Sequence, residues 1–333
     1  MELAIVGSID PPIGVPAPYT IAGGFRLVEL AALALCHRGR VVIYVEEVVD
    51  LPTSLEGCRF EIRKLKDLDL PQIPVGCVPH MLKSLNLKCG DYHIDLGGEE
   101  LVVEPFTTIA DLISHNVEIM ETVFSRLKLL GIDLIKGDLR GEVKGDIYIR
   151  GKLYEYTYVQ GPAVVGPNSE VLPFTYIRPG TVLYYNTSVR DEVKNSIIDS
   201  YVRKQHTGYL GDAYVGPFVN FGAATTVSNL KNTLGLIKPS YSAKTYKKLG
   251  PVVGAFTKTA IGTLIYGGRY IGYLTHLYGL VDRDVPPATI YRNGNIEKMY
   301  FEKALEYLKR DLSHFDRLDL FNYYRELLQK TLF

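Results

Sequence analysis

The stretch GPAVVGPNSEVLPFTYIRPGTVL, residues 161–183, places an aliphatic side chain at every sixth position: Val165, Val171, Ile177 and Leu183. Val189 continues the series. The phase resumes in HTGYLGDAYVGPFVNFGAATTVSNL (206–230) at Val215, Phe221 and Val227. It resumes again at Val253, Thr259, Ile265, Ile271 and Leu277, where only Thr259 is not apolar. Six is neither the helical nor the hairpin period. It suits a coil with three flat faces, each hexad supplying one short strand and one turn. The aliphatic residue points inward and stacks on its counterparts in the coils above and below, so burial is achieved only by stacking. Gly166, Gly216, Gly222, Gly254 and Gly272 directly follow the aliphatic residue, where a small residue is expected to help the chain turn a corner. Ordinary β-sandwich strands would show period two and turns every 8–12 residues or roughly so, and neither is present. Residues 141–294 therefore read as a left-handed parallel β-helix of hexapeptide repeats.

The flanks have a different texture. Residues 1–140 read as α/β: a strand over 2–7, a helix over 25–37 with Leu27, Leu30, Ala31 and Ala34 on one face, and a β-branched strand over 40–47. Strand, helix, strand is the start of a Rossmann-like layer. Residues 51–75, with three prolines, read as loops with short strands. Thr108 with Asp111 caps a long helix over 109–130 that Gly131 ends. Residues 295–333 return to helix, with one apolar face of Met299, Tyr300, Ala304, Tyr307 and Leu308 and another of Leu318, Phe321, Leu327 and Leu328. These faces are expected to pack on the body or on a sister subunit.

Composition narrows the function. The 333 residues carry 37 basic and 37 acidic side chains, which argues against a general nucleic-acid grip. No apolar run reaches the roughly 18 residues of a spanning helix. The start, MELAIVGSIDPP, lacks a basic region, and Pro11 and Pro12 follow its apolar run, so no signal peptide is expected. Cys36, Cys58, Cys77 and Cys89 include no C-x-x-C pair. They read as four reduced thiols of a cytoplasmic protein.

The repeat region resembles the hexapeptide-repeat acyltransferases. More narrowly it is similar to the acetyltransferase half of the bifunctional glucosamine-1-phosphate acetyltransferase and N-acetylglucosamine-1-phosphate uridylyltransferase, including the archaeal branch. The resemblance is carried by residues 161–183, by VKNS (193–196), by residues 206–230, by KLGPVVGAFTKTAIGTLIYGGRYIG (248–272) and by VDRDVPPATIYR (281–292). It implies a homotrimer with sites between subunits, acetyl-CoA as co-substrate and an amino-sugar phosphate as acceptor. It implies His206 as general base with Asn220 beside it, and Arg178, Lys194 and Tyr209 on the sugar phosphate. It places Asn229 near acetyl-CoA, Arg292 at the CoA phosphate, and the backbone amides of Ala223 and Ala255 along the CoA channel.

The chemistry of these residue types agrees. A sugar ammonium must lose a proton before its lone pair attacks a thioester, and a histidine suits that task. An oxyanion is stabilised by a backbone N–H or an amide side chain, and a sugar phosphate needs fixed cations. Each residue also has a plain structural reading. His206 sits in a solenoid turn, Arg178 precedes Pro179-Gly180, and most lysines like Lys194 are solvated. Asn220 suits a turn or an internal stack, and Tyr209 is one of 24 tyrosines.

Three features depart from the family. Ala224 stands where the family has glycine in its G-A-G-T run. The coil between Leu183 and Lys194 is shorter by two residues. Lys231, Lys238, Lys244 and Lys247 all compete for one expected substrate lysine. The amino-terminal half lacks the relatives' glycine-rich G-x-G-T start, so uridylyltransfer is not expected, and Mg2+ is implied only if that activity persists. The alternatives are a sugar-1-phosphate nucleotidyltransferase with a divergent site and a non-catalytic β-helix scaffold. A carbonic anhydrase of this fold needs three histidines, and the repeats hold only His206 and His276. Since every residue assigned to acetyl transfer lies in the repeats, removing 1–140 is expected to leave that activity.

Overall fold

A computed structural model describes residues 1–9, 13–56, 58–66 and 70–333; Pro11 and Pro12 lie outside the described residues. Its centre is a solenoid of two- to four-residue parallel strands running from Asp138 to Arg292. The strands stack into three faces, which fits a left-handed parallel β-helix. Face 1 stacks Lys152–Leu153, Glu170–Val171, Ser188–Val189 and Arg203–Lys204. Face 2 stacks Tyr158–Gln160, Tyr176–Ile177, Glu192–Lys194 and Leu210–Gly211. Face 3 runs from Ile147–Ile149 through Ala163–Val165, Thr181–Leu183, Ile197–Ile198, Tyr214–Val215 and Val252–Val253 to Tyr270–Ile271. The period-six residues fill the interior: Val165, Val171, Ile177, Leu183, Val189, Val215, Val253, Ile271 and Leu277 are fully buried in one cluster. Thr259 joins them because its hydroxyl is satisfied, accepting from Gly222 N at 2.9 Å and bonding Thr225 Oγ1 at 2.6 Å.

The glycines after the aliphatic residues do a different job from the one expected. None of Gly166, Gly216, Gly222, Gly254 and Gly272 has a left-handed backbone. At each, a Cβ would collide with the next coil; at Gly166 it would lie 1.7 Å from the Tyr184 carbonyl oxygen. The corner residue comes two positions later and is left-handed at Asn168, Phe174, Asn186, Phe218, Ala224, Phe256 and Leu274. Non-glycine residues rarely adopt this conformation, so the pattern marks where stacking overrides local preference. The shortened coil is also present. Ile177 pairs with Val193, whereas Val159 pairs with Ile177 eighteen residues on, a difference of two.

Amino-terminal to the solenoid, four parallel strands lie in the order Phe60–Lys64, Val41–Val45, Glu2–Val6, Gln72–Pro74. Helix α1 (Leu27–Leu35) packs on them. Helix α2 (Ile109–Leu129) starts at Thr108, whose side chain accepts from Asp111 N in a capping box. At the carboxyl end, α3 (Phe301–His314) and α4 (Phe321–Leu332) fold back on the solenoid. Ala304, Leu308 and Leu328 are buried as expected, but Tyr300 and Leu318 are exposed, while Leu312, Leu320 and Tyr324 go inward. The helices meet a ladder of corner aromatics, Tyr201 on Phe218 on Phe256, with ring centroids 4.8 and 4.7 Å apart.

The reading of four reduced thiols is overturned. Cys36 joins Cys58 and Cys77 joins Cys89, with Cα separations of 5.6 and 6.2 Å. Both lie within the span a disulfide requires. The partners are brought together by tertiary packing, which spacing along the chain does not report. Among the described residues no helix is long and apolar enough to cross a membrane.

Candidate active site

Face 2 ends at a corner where the chain turns toward face 3; Arg178, Lys194 and Gly211 meet there in register, and Asp212 follows opposite Asn195. Asp212, nearly buried, organises the group. Its carboxylate accepts from Lys194 Nζ at 3.1 Å and from Asn195 Nδ2 at 2.8 Å, and also from Asn229 Nδ2. Asn229 Nδ2 donates in addition to the Tyr209 hydroxyl at 2.9 Å. The Tyr209 ring lies over Gly211, where a Cβ would be only 2.1 Å from the hydroxyl oxygen, so a larger residue there would displace the ring. Burial, with Asp212 nearby, pushes the Tyr209 phenol up to about 12. Arg178 Nη1 donates to Glu192 Oε1 at 2.8 Å, which raises the guanidinium pKa.

Four of the expected residues (Arg178, Lys194, Tyr209 and Asn229) thus share one neighbourhood. Two residues missed by the sequence reading, Asp212 and Glu192, hold it together. Asp212 stood in the quoted Y-L-G-D-A run, and Glu192 directly precedes the quoted VKNS. The cluster balances two cations against two carboxylates. Helix α2 closes its far side: Asn116 Nδ2 donates to the Gly180 carbonyl at 2.5 Å, and Asn195 Nδ2 to the Ile113 carbonyl at 3.5 Å.

His206 lies on the other corner of the same coil, between faces 1 and 2, and is exposed. It is three residues from Tyr209, so their α-carbons are at most about 11 Å apart. Asn220 is exposed on face 1, one coil further on, stacked between Arg203 and Lys258. Ala223 follows at the corner one coil beyond His206, half-exposed beside the exposed Ala224. Arg292 ends the last face 1 strand, exposed, its guanidinium 4.9 Å from the Tyr278 ring centroid. Ala255 does not belong here. It is fully buried at the opposite corner, and its amide donates to the Ile13 carbonyl at 2.8 Å. The amino-terminal unit occupies the position where the sequence reading placed a CoA channel.

The competing lysines also separate. Lys244 is tied to Asp111 of α2 at 2.8 Å. Lys231 is exposed and lines a cavity of about 250 Å³ with Ser228, Ile237, Tyr266 and Arg269, immediately after Asn229. Among the described residues no group of three or more His, Cys, Asp or Glu side chains is placed to hold a metal ion.

This arrangement, a three-faced solenoid of hexapeptide repeats with polar clusters at its corners, defines the structural class. Within that class the chain is similar to the bifunctional sugar-1-phosphate nucleotidylyltransferase/acetyltransferase of Sulfurisphaera tokodaii. They share 32% identity over 161 residues, 44% of this chain and 40% of that protein. Bifunctional protein GlmU of Methanococcus maripaludis is 38% identical over 196 residues, 53% of this chain and 43% of that one. GlmU of Methanocaldococcus jannaschii is 30% identical over 185 residues, 50% and 44% of the two chains. The chain's homologues are of this bifunctional type, and it spans less than half the length of each of these three relatives. Solved structures that superpose include the acetyltransferase domain of PglB from Neisseria gonorrhoeae, with 13% identity, 90% of this chain, 99% of that one and a TM-score of 0.24. PerB from Caulobacter crescentus has 12% identity, 89%, 96% and a TM-score of 0.22. Both superpositions are too loose to inform the site. No protein-family model matches the chain.

Proposed function

We propose that the chain transfers an acetyl group from acetyl-CoA to the amine of a hexosamine 1-phosphate. The observation that carries this reading is the cluster in which Lys194 and Asn229 bond Asp212, Asn229 bonds Tyr209 and Arg178 pairs with Glu192, with Tyr209 three residues from an exposed histidine. In this reading the sugar phosphate draws Arg178 away from Glu192, a pair that is about 39% exposed on both sides and so open to exchange. Lys194 stays anchored as the second cation. His206 takes the ammonium proton. The freed nitrogen attacks the thioester carbon; the C–N bond forms, the C–S bond breaks, and the second proton that the nitrogen gives up goes to the departing thiolate. Acetyl-CoA lies along the corner between faces 1 and 2. From His206 this corner passes Ala223, Ala260, Gly262 and Gly279 to Arg292, four coils on. At roughly 4.8 Å per coil that is about 19 Å, a span suited to an extended coenzyme with its phosphates at Arg292. Lys231 is the substrate lysine of its loop in this reading.

Three further assignments belong to the proposal. The amino-terminal strands, in the order 3-2-1-4, form a small Rossmann-like layer that acts as a cover for face 3 and not as a uridylyltransferase. The protein is a homotrimer joined through face 2 and its corners, which retain exposed Ile261, Leu264, Tyr266 and Leu280 while face 3 is covered; light scattering at micromolar concentration reads its mass directly. It is cytoplasmic, its two disulfides being an exception to the rule that ordinary cytosol keeps thiols reduced. The test of the activity is thiol release from acetyl-CoA against a panel of amino-sugar phosphates. Release with a hexosamine 1-phosphate and not with the N-acetylated sugar phosphate is expected. No release with any member of the panel defeats the reading.

A further inference from the structure

The interior column behind face 1 runs Leu153, Val171, Val189, Lys204, Phe221, Thr259, Leu277, Tyr291. One member is a lysine. Lys204 pairs with Val189, precedes the turn that bears His206, and is 3% exposed. An ammonium in an apolar stack is costly unless its donors are used. Lys204 Nζ donates to the Arg190 carbonyl in the coil before, at 2.7 Å, and to the His206 carbonyl at 3.4 Å. Asp191, beside Arg190, is the nearest countercharge, and its Oδ2 accepts from Gly208 N at 2.8 Å. Gln205 Nε2 donates to Ser188 Oγ at 2.8 Å. Residues 205, 206 and 208 are therefore each tied to the coil spanning 188–191, and the tie to His206 itself passes through Lys204.

An aliphatic side chain would fill the interior position at no desolvation cost, so packing does not call for lysine. We infer that Lys204 is the positioning residue for His206: from inside the solenoid its ammonium clamps the His206 carbonyl to the Arg190 carbonyl and fixes the turn that presents the imidazole. The inference rests on the proposed role of His206 in acetyl transfer. Positioning matters at this scale because a base misplaced by about 1 Å loses roughly 100-fold in rate.

Lys204→Met keeps the chain length and suits the apolar column, and replacing a buried charge by a hydrophobe is often neutral or stabilising. The full-length variant is expected to fold and melt no earlier than wild type. Its kcat should fall at least about 10-fold with KM for acetyl-CoA unchanged, and hydrogen exchange at the amides of 205–208 should quicken. Lys204→Gln, which retains a donor on a shorter arm, should restore part of the exchange protection and part of kcat. Exchange at 205–208 matching wild type in folded Lys204→Met overturns the inference, as does wild-type turnover. So does failure of both variants to fold, which makes Lys204 a residue of the fold only. If the wild-type protein transfers no acetyl group, the activity reading has failed; the exchange measurement still decides whether Lys204 holds the turn.

Discussion

At the residue scale, His206 and Lys204 sit two residues apart and face opposite ways, one into solvent and the other into the solenoid. If His206 removes the amine proton, His206→Ala should lower kcat by about 10²–10⁴-fold, the usual contribution of a positioned base. KM for acetyl-CoA should change little. A structural histidine would show instead as an earlier melt or a lost oligomer with turnover preserved, so kcat, melting temperature and mass measured on one preparation decide the matter. Lys204 makes a prediction of its own. Burial pushes its ammonium down to about 8 from an ordinary 10.5. Between those values the unfolded chain holds the proton that the folded one has released. The unfolded state then binds more protons, and stability rises with pH. Wild type should therefore gain on the order of 1–3 kcal/mol relative to Lys204→Met between pH 8 and 10.5, read from denaturant midpoints at each pH. A difference that stays flat across this window would show that the ammonium is not penalised where it lies.

At the element scale, the sequence was read best where one physical rule dominates. The interior column needs an apolar side chain every six residues, so Val165 to Leu277 were visible at once, as were the capping box at Thr108 and Asp111 and the strand–helix–strand start. The candidate cluster was legible only through resemblance, because side chains such as Lys194, Asp212 and Asn229 meet across three coils and share no local pattern. Asp212 was missed for the same reason: its partners are 17 and 18 residues away. The cysteine pairs depend on how the amino-terminal unit packs within itself and the buried amide of Ala255 on which surface that unit covers, and no periodicity encodes either. The corner aromatics are hidden in the sequence for a different reason. Phe218 and Phe256 have left-handed backbones at 62° and 59°, which disfavours them locally, yet they stack on each other and against Tyr324 of α4. Tyr324 is buried, and its hydroxyl lacks a partner among the described residues. Removing that oxygen removes a buried unsatisfied group, so Tyr324→Phe should leave the melting temperature unchanged or raise it. Tyr324→Ala should cost about 3–5 kcal/mol through the cavity it leaves. A destabilised Phe variant would mean that the hydroxyl is solvated or bonded, and would revise the packing of α4 on the ladder.

At the scale of the whole molecule, one hydrophobic core runs without a break from the amino-terminal sheet and α1 through α2 and face 3 to the carboxyl-terminal helices. The solenoid therefore has two interiors, its own column and the surface it shares with its flanks. A fully buried ion pair crosses that shared surface. Arg26 Nη2 donates to Asp199 Oδ1 at 2.9 Å, both side chains fully buried. Beside it, buried Glu29 accepts from the Tyr184 hydroxyl at 2.6 Å and from the amides of Ser54 and Leu55. The expectation that residues 141–294 carry the activity without 1–140 does not survive this geometry. Removing the first 140 residues leaves Asp199 without its guanidinium and uncovers Tyr148, Val164, Val182, Tyr184, Ile197 and Tyr214, all at or near zero exposure in the whole chain. The truncated protein should aggregate. A point variant separates loss of the charge partner from loss of cover. Arg26→Met leaves Asp199 buried and uncompensated, which typically costs about 3–5 kcal/mol, while the double variant with Asp199→Asn removes the orphaned charge and should recover much of that loss. Because the core is continuous, Arg26→Met should lower the melting temperature of the solenoid and of the amino-terminal sheet together, as a single transition. Two transitions, with only the earlier one moved by the substitution, would mean that the sheet unfolds separately and that the solenoid stands without it.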